Sequence, residues 1–64
     1  VKAYNSREII KLIEADGWYF DYARGDHHYF KHPTKKGKVT VPHPKKSFPI
    51  KTQIAILKSA GIEG

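Results

Sequence analysis

The sequence predicts an α+β fold in the order α-β-β-β-α, a three-stranded antiparallel sheet with two helices on one face. Three observations lead there. Apolar residues recur at helical spacing near both ends of the chain, at Ile9, Leu12 and Ile13 and again at Ile50, Ile54 and Leu57. Between them lie three short runs, 18–24, 28–32 and 38–41, that read as strands from their aromatic and β-branched residues. Turn compositions separate these runs, Gly25-Asp26 first and then residues 33–37.

Each element has its own signals. Asn5 or Ser6 can cap the first helix, and Glu8 follows Asn5 by three residues, as a capping box requires. Ile10 widens the apolar stripe, while Arg7, Lys11 and Glu14 take the wet side. Asp16-Gly17 ends the helix, with Gly17 as its left-handed cap. In the first strand, alternation puts Trp18, Phe20 and Tyr22 on the core face and Tyr19, Asp21 and Ala23 on the other. Gly25 takes a positive φ without steric cost, which suits a tight turn, and Asp26 tolerates turn conformations.

In the second strand Phe30 is the core residue. His28 and His32 share its side and read as partly buried, hydrogen-bonded histidines at the core rim. His27, Tyr29 and Lys31 face the other way. Residues 33–37 form a basic loop, and the third strand turns Val39 and Val41 inward and Lys38 and Thr40 outward. Pro42-His43-Pro44 ends it, since proline cannot continue the ladder, and leaves His43 as a loop contact or an ordinary exposed residue. Lys45, Lys46, Ser47 and Phe48 form a loop, Pro49 opens the second helix, Ile56 flanks its stripe and Gly61 closes it. Two helices on one face leave the other face of the sheet in water.

With 64 residues the chain is expected to be one domain, residues 1–64. A chain this small buries only roughly 60% of its unfolded surface and has no room for a deep active site. Any catalysis would take place on an open face. No cysteine is present, which excludes disulfides and thiolate metal sites. No apolar run is long enough to cross a bilayer and the N-terminus lacks a signal-peptide core, so no membrane partner is expected and the cytoplasm is the default location. The chain contains no Met, so its start reads as trimmed, processed or incomplete.

The net charge of +6 is unevenly spread. Residues 24–58 carry nine Lys and Arg against Asp26 alone. A basic excess confined to one stretch fits a polyanion, usually nucleic acid; a solvated lysine surface or a face for an acidic protein are the other readings. The open sheet face should show Tyr19, Asp21, His27, Tyr29, Lys31, Lys38 and Thr40. Lysines hold phosphates, tyrosines stack on bases or hydrogen-bond to them, and histidine moves protons near neutral pH. RNA supplies its own nucleophile, the 2′-hydroxyl, so a minimal site needs only a proton acceptor and cations. His27 is thus a candidate general acid or base, or else a plain surface histidine beside a hairpin. Lys31 and Lys38 are candidate phosphate holders, Tyr29 an RNA contact, and Lys35, Lys36, Lys45 and Lys46 the wider basic surface. Asp26 reads as a turn residue that can also orient His27. His27 and His28 point to opposite faces of a strand, which argues against a metal site, and no cofactor is expected.

Gly25-Asp26-His27-His28, the following Tyr29-Phe30-Lys31-His32, Val39-Thr40-Val41-Pro42-His43-Pro44 and the closing helix from Ile54 to Gly61 together resemble the HicA family. HicA proteins are small ribonuclease toxins, or mRNA interferases, of toxin–antitoxin pairs. The resemblance runs from about Ser6 to Ile62 and rests on the order and spacing of several motifs. It implies a fold similar to the double-stranded-RNA-binding domain. It also implies a catalytic histidine at His27, metal-independent cleavage of mRNA and neutralisation by a HicB-like antitoxin. The chain departs from the family in carrying Asp26 where serine is usual, and in the basic residue that the family often has near Tyr22. A non-catalytic RNA-binding module is the alternative that this fold equally allows.

Overall fold

The computed structural model describes residues 3–62, so the outermost two residues at each end of the expected domain lie outside the described residues. Five elements follow in the predicted order: α1 (Ser6–Ala15), β1 (Tyr19–Arg24), β2 (His27–Lys31), β3 (Val39–Pro42) and α2 (Ile50–Ser59). The strands form one antiparallel sheet in the order β1-β2-β3. Both helices pack against β3 and against each other. Their buried residues, Ile9, Ile13, Ile56 and Ala60, meet Trp18, Phe30, Val39, Val41 and Phe48 in one core.

The capping box at α1 is present in full. Asn5 is the cap; its side chain accepts the Glu8 N–H (2.8 Å), and the Glu8 carboxylate accepts the Asn5 N–H (3.1 Å). Ser6, the other candidate cap, is instead buried inside the first turn. At the C-terminus the Gly17 N–H bonds to Glu14 O and the Trp18 N–H to Ile13 O, the two bonds of a Schellman ending. Gly17 has φ +111°, and a Cβ there would stand 2.7 Å from His32 Nε2, so both the turn and the close approach require glycine. α2 closes in the same way, through Gly61 N–H to Lys58 O and Ile62 N–H to Leu57 O.

Three expectations need correcting. First, β1 does not alternate cleanly. Phe20 pairs with Phe30, but Tyr22 pairs with Tyr29, so a β-bulge falls between Phe20 and Tyr22. A bulge adds one residue to one strand and shifts the side-chain alternation beyond it. Tyr22 therefore stands on the open face beside Tyr29, not in the core. Phe20 keeps the inner face, where it meets Phe30 edge-on (5.9 Å), yet it is half exposed because β1 is an edge strand. Second, α2 buries Gln53 and Ile56, together with its C-cap Ala60 and with Leu57 partly covered, and leaves Ile50 and Ile54 exposed. The cause is polar: Gln53 turns inward because its Oε1 accepts the Tyr4 N–H (2.6 Å), which rotates the buried stripe away from Ile50 and Ile54. Third, Leu12, expected in the apolar stripe, sits at the rim of the core; Phe48 lies in a loop as expected, and its ring is buried in the core. The strand limits differ from expectation by about a residue.

A junction of side chains ties together the ends of both helices and the loop after β2. Trp18 Nε1 donates to Ala60 O (3.0 Å). His32 accepts the Thr34 and Lys35 N–H groups at Nδ1 (both 3.1 Å), so its proton sits on Nε2 and is donated to Asp16 O (2.8 Å). Lys35 pairs with the Asp16 carboxylate and also donates to Ala60 O. The Lys35 ammonium holds the Asp16 carboxyl below its ordinary range.

Two outcomes follow. Gly17→Ala forces a side chain into the left-handed region and against His32. It should cost at least about 1–2 kcal/mol, or roughly 4–8 °C in melting temperature per kcal/mol for a domain of this size. A melting temperature unchanged in thermal unfolding would contradict the close approach. A carboxyl lowered in the folded state stabilises the fold above its ordinary pKa of 3.8, and that contribution disappears as pH falls through the lowered folded value. Asp16→Asn should thus lower the melting temperature at pH 7, and the deficit should fade in strong acid; a deficit independent of pH would rule the pairing out.

Candidate RNA-contacting face

The turn between β1 and β2 is two residues long, since Arg24 pairs with His27. Gly25 takes φ +61°, Asp26 does not take a positive φ, and this is the pattern of a type II′ hairpin. The turn projects His27 at the first position of β2, where it is exposed. Its Nδ1 lies 3.2 Å from Asp26 Oδ1. Nε2 has no partner among the described residues and opens to solvent.

The turn is braced from behind. The His43 N–H donates to Asp26 O (2.7 Å), and the His43 ring stands edge-on against His28 (5.0 Å). His43 Nδ1 shares a 2.7 Å hydrogen bond with the buried Ser6 Oγ, which also accepts the Lys45 N–H (2.9 Å). A chain of contacts thus runs from the His27 turn through His43 and Ser6 to the start of α1. His43 is the loop contact of the two alternatives the sequence allowed. Ser6 gave no warning of this role, because its position looked like a helix cap.

Around His27 the open face carries cations and rings. Arg24 is its cross-strand partner, at a typical Cβ separation of about 5 Å. Nothing local in the sequence marks Arg24 for this place; the pairing register puts it there. Tyr29, two residues along β2, stacks on Tyr22 with centroids 4.5 Å apart and planes 18° from parallel. The Lys38 ammonium stands over the Tyr29 ring at 5.1 Å. Lys31 lies four residues from His27 and makes a loose pair with Asp21 (3.8 Å). Asp21 therefore shares the open face, as predicted, with Tyr22 beside it.

The wider lysines divide. Lys36 is exposed on the loop between β2 and β3. Lys45 and Lys46 line a groove of about 370 Å³ with Asn5, Ser6, Arg7, His43 and Pro44, behind the His27 turn and not on the sheet face. Lys35 lies beyond the far end of β2, and its ammonium is already engaged by Asp16 and Ala60. His28 and His32 point inward and are bound there, so they do not join His27. Among the described residues no three His, Asp or Glu side chains converge as metal ligands would, and no helix is long and apolar enough to cross a membrane.

A family model described as HicA toxin of bacterial toxin-antitoxin matches residues 6–62. A search among curated proteins gives no match.

The contact between Asp26 and His27 makes a checkable statement about the ring. With the carboxylate against Nδ1, the uncharged imidazole should carry its proton there and leave Nε2 as the acceptor. Long-range ¹H–¹⁵N spectra should report the Nδ1–H tautomer, and Asp26→Ala should shift the population toward Nε2–H. Identical spectra in the two proteins would reduce Asp26 to a turn residue.

Proposed function

The chain belongs to the HicA toxin family of bacterial toxin–antitoxin systems, and from that membership we propose that it is a metal-independent endoribonuclease that cleaves mRNA with His27. One observation carries the reading: an exposed histidine with one ring nitrogen against a carboxylate and the other open to solvent, on a face lined with cations and tyrosines. Nε2 takes the proton of a 2′-hydroxyl as its oxygen attacks the adjacent phosphorus. The P–O5′ bond breaks, the leaving 5′-oxygen takes a proton from water, the protonated ring returns its own to solvent, and the products are a 2′,3′-cyclic phosphate and a 5′-hydroxyl. Asp26 orients the ring and stabilises it once protonated. Arg24 and Lys38 offset the charge that builds on the phosphoryl oxygens, with Lys31 and Lys36 extending the hold along the strand. General base catalysis of this kind supplies typically ~10²–10⁴-fold, within reach of an open site.

The element order supports the likeness to a double-stranded-RNA-binding domain, and the whole chain is read as one such domain. Restraint would come from a HicB-like antitoxin in the cytoplasm. An acidic protein that covers His27, Arg24 and Lys38 would remove the proton-transfer group and the phosphate-holding cations in one contact, and charge would speed its capture.

His27→Ala should abolish cleavage of a labelled transcript and toxicity on expression while leaving the circular dichroism spectrum intact. EDTA should leave wild-type cleavage unchanged. A folded His27→Ala chain that still cuts would remove the assignment, whereas RNA binding with no cutting in either protein would favour a non-catalytic binding module. In the antitoxin complex, hydrogen exchange should slow across residues 27–31 and 38–41; protection confined to α1 would contradict inhibition by occlusion.

A further inference from the structure

We propose that Tyr22 is a stacking platform for one unpaired RNA base beside the cleaved phosphate, so that the face reads single-stranded RNA. This rests on the reading of the face as an RNA-cleaving one. Tyr22 is 44% exposed, far from the core, and held upright by its stack on Tyr29. Tyr29 in turn lies between Tyr22 and the Lys38 ammonium. A row of Tyr22, Tyr29 and Lys38 thus crosses the sheet with its inner faces occupied. The outer face of Tyr22 remains, because β1 is the edge strand and no further strand pairs beyond it among the described residues.

The bulge brings Tyr22 out of the core and onto this face. It places an aromatic ring in water beside a general acid–base candidate. A ring already fixed in one orientation loses little freedom when a ligand stacks on it. The flanking charges select the ligand. Arg24 lies two residues along β1 on the same face, and Lys31 and Lys38 lie beyond the stack. Flat rings carried on a polyanion satisfy both features, and that description is a nucleic acid strand. Tyr29 is two residues from His27, about 7 Å along the strand, so a base on Tyr22 belongs to a nucleotide close to the phosphate at His27. In a duplex the base faces are already stacked on one another and cannot reach an upright ring, which makes the platform selective for unpaired bases.

The test measures binding of a fluorescent single-stranded RNA oligonucleotide by anisotropy in the His27→Ala background, with a blunt-ended two-strand RNA duplex as control. Tyr22→Ala should weaken single-strand binding roughly 5- to 150-fold, leave the duplex affinity unchanged, and keep the slope of affinity against salt, since no phosphate contact is lost. Tyr22→Trp should bind at least as well as the parent. Tyr22→Leu, which keeps apolar contact with Tyr29 but offers no ring, should match Tyr22→Ala and serves if that variant fails to fold. Unchanged single-strand affinity in folded Tyr22→Ala overturns the platform. So does a variant that keeps RNA affinity but loses an acidic protein partner, which would assign the stack to protein docking. Loss of binding in Tyr22→Ala together with a wild type that never cuts would sustain the platform and refute cleavage; a wild type that cuts, with Tyr22→Ala binding as before, would do the reverse.

Discussion

The β-bulge between Phe20 and Tyr22 is the constraint on which the rest of the sheet depends. β1 is an edge strand, and neither helix leans chiefly on it. A regular β1 would have sent Trp18, Phe20 and Tyr22 to one side, three large rings competing for a core that two ten-residue helices cannot extend to cover. The extra residue splits the set. Trp18 closes the core at one end, Phe20 caps its edge against Phe30, and Tyr22 passes to the open side, where Tyr29 receives it. The same step sets the register of Ala23 opposite His28 and Arg24 opposite His27, and so decides which cation stands beside the candidate catalytic ring.

The two ends of β2 are built differently. At its far end, Trp18, His32, Lys35 and Asp16 bind the endings of both helices through side chain to backbone hydrogen bonds. At its near end the hairpin is held mainly by backbone, through the ladder and the His43 N–H on Asp26 O. The side chains of Asp26 and His27 stay outside this network. Four histidines take three environments accordingly: His32 is locked in the rigid end, His28 and His43 meet edge-on behind the turn, and His27 stands exposed at its tip. The brace fixes the backbone and leaves the ring unencumbered, which is the condition for a side chain to meet substrate without first breaking a contact.

Much of this was legible in the sequence, and the gaps have physical causes. Element order, the capping box at Asn5 and Glu8, the glycine endings and the inward valines of β3 all follow from local rules that involve neighbours a few residues apart. Tyr22, Ile50 and Ile54 depart from expectation because their placement depends on long-range events, one extra residue in a ladder and one buried Gln53 amide reaching Tyr4; Phe48 is the loop residue expected, and its burial comes from that loop folding over the core. Periodicity assumes an unbroken period. The candidate site divides in the same way. The hairpin and Asp26 beside His27 could be read from Gly25-Asp26-His27, but Arg24 and the Tyr22 stack require the register, and the bond from Ser6 to His43 spans 37 residues. Lys35 looked like part of a uniform basic surface until its partners were seen.

The charges of the open face are held loosely, and that has consequences for what the face can bind. An exposed ion pair is worth about 0–1 kcal/mol, so the 3.8 Å pair between Lys31 and Asp21 places the lysine without tying it down. The Lys38 ammonium over Tyr29 gains of order 0.5–1 kcal/mol at an exposed site. Either cation can turn to a phosphate oxygen at little cost, since a hydrogen bond between two charged groups is roughly twice as strong as one between neutral groups. Asp21 and Asp26 act in the opposite direction. They thin the positive field along the face, Asp21 beside Lys31 and Asp26 beside His27, so a polyanion laid there would be held less firmly at those points than at its flanks. On the proposed reading, an RNA strand bound in this way would be kept in register by its flanks while the nucleotide at the centre stays free to bring its 2′-hydroxyl into line with His27.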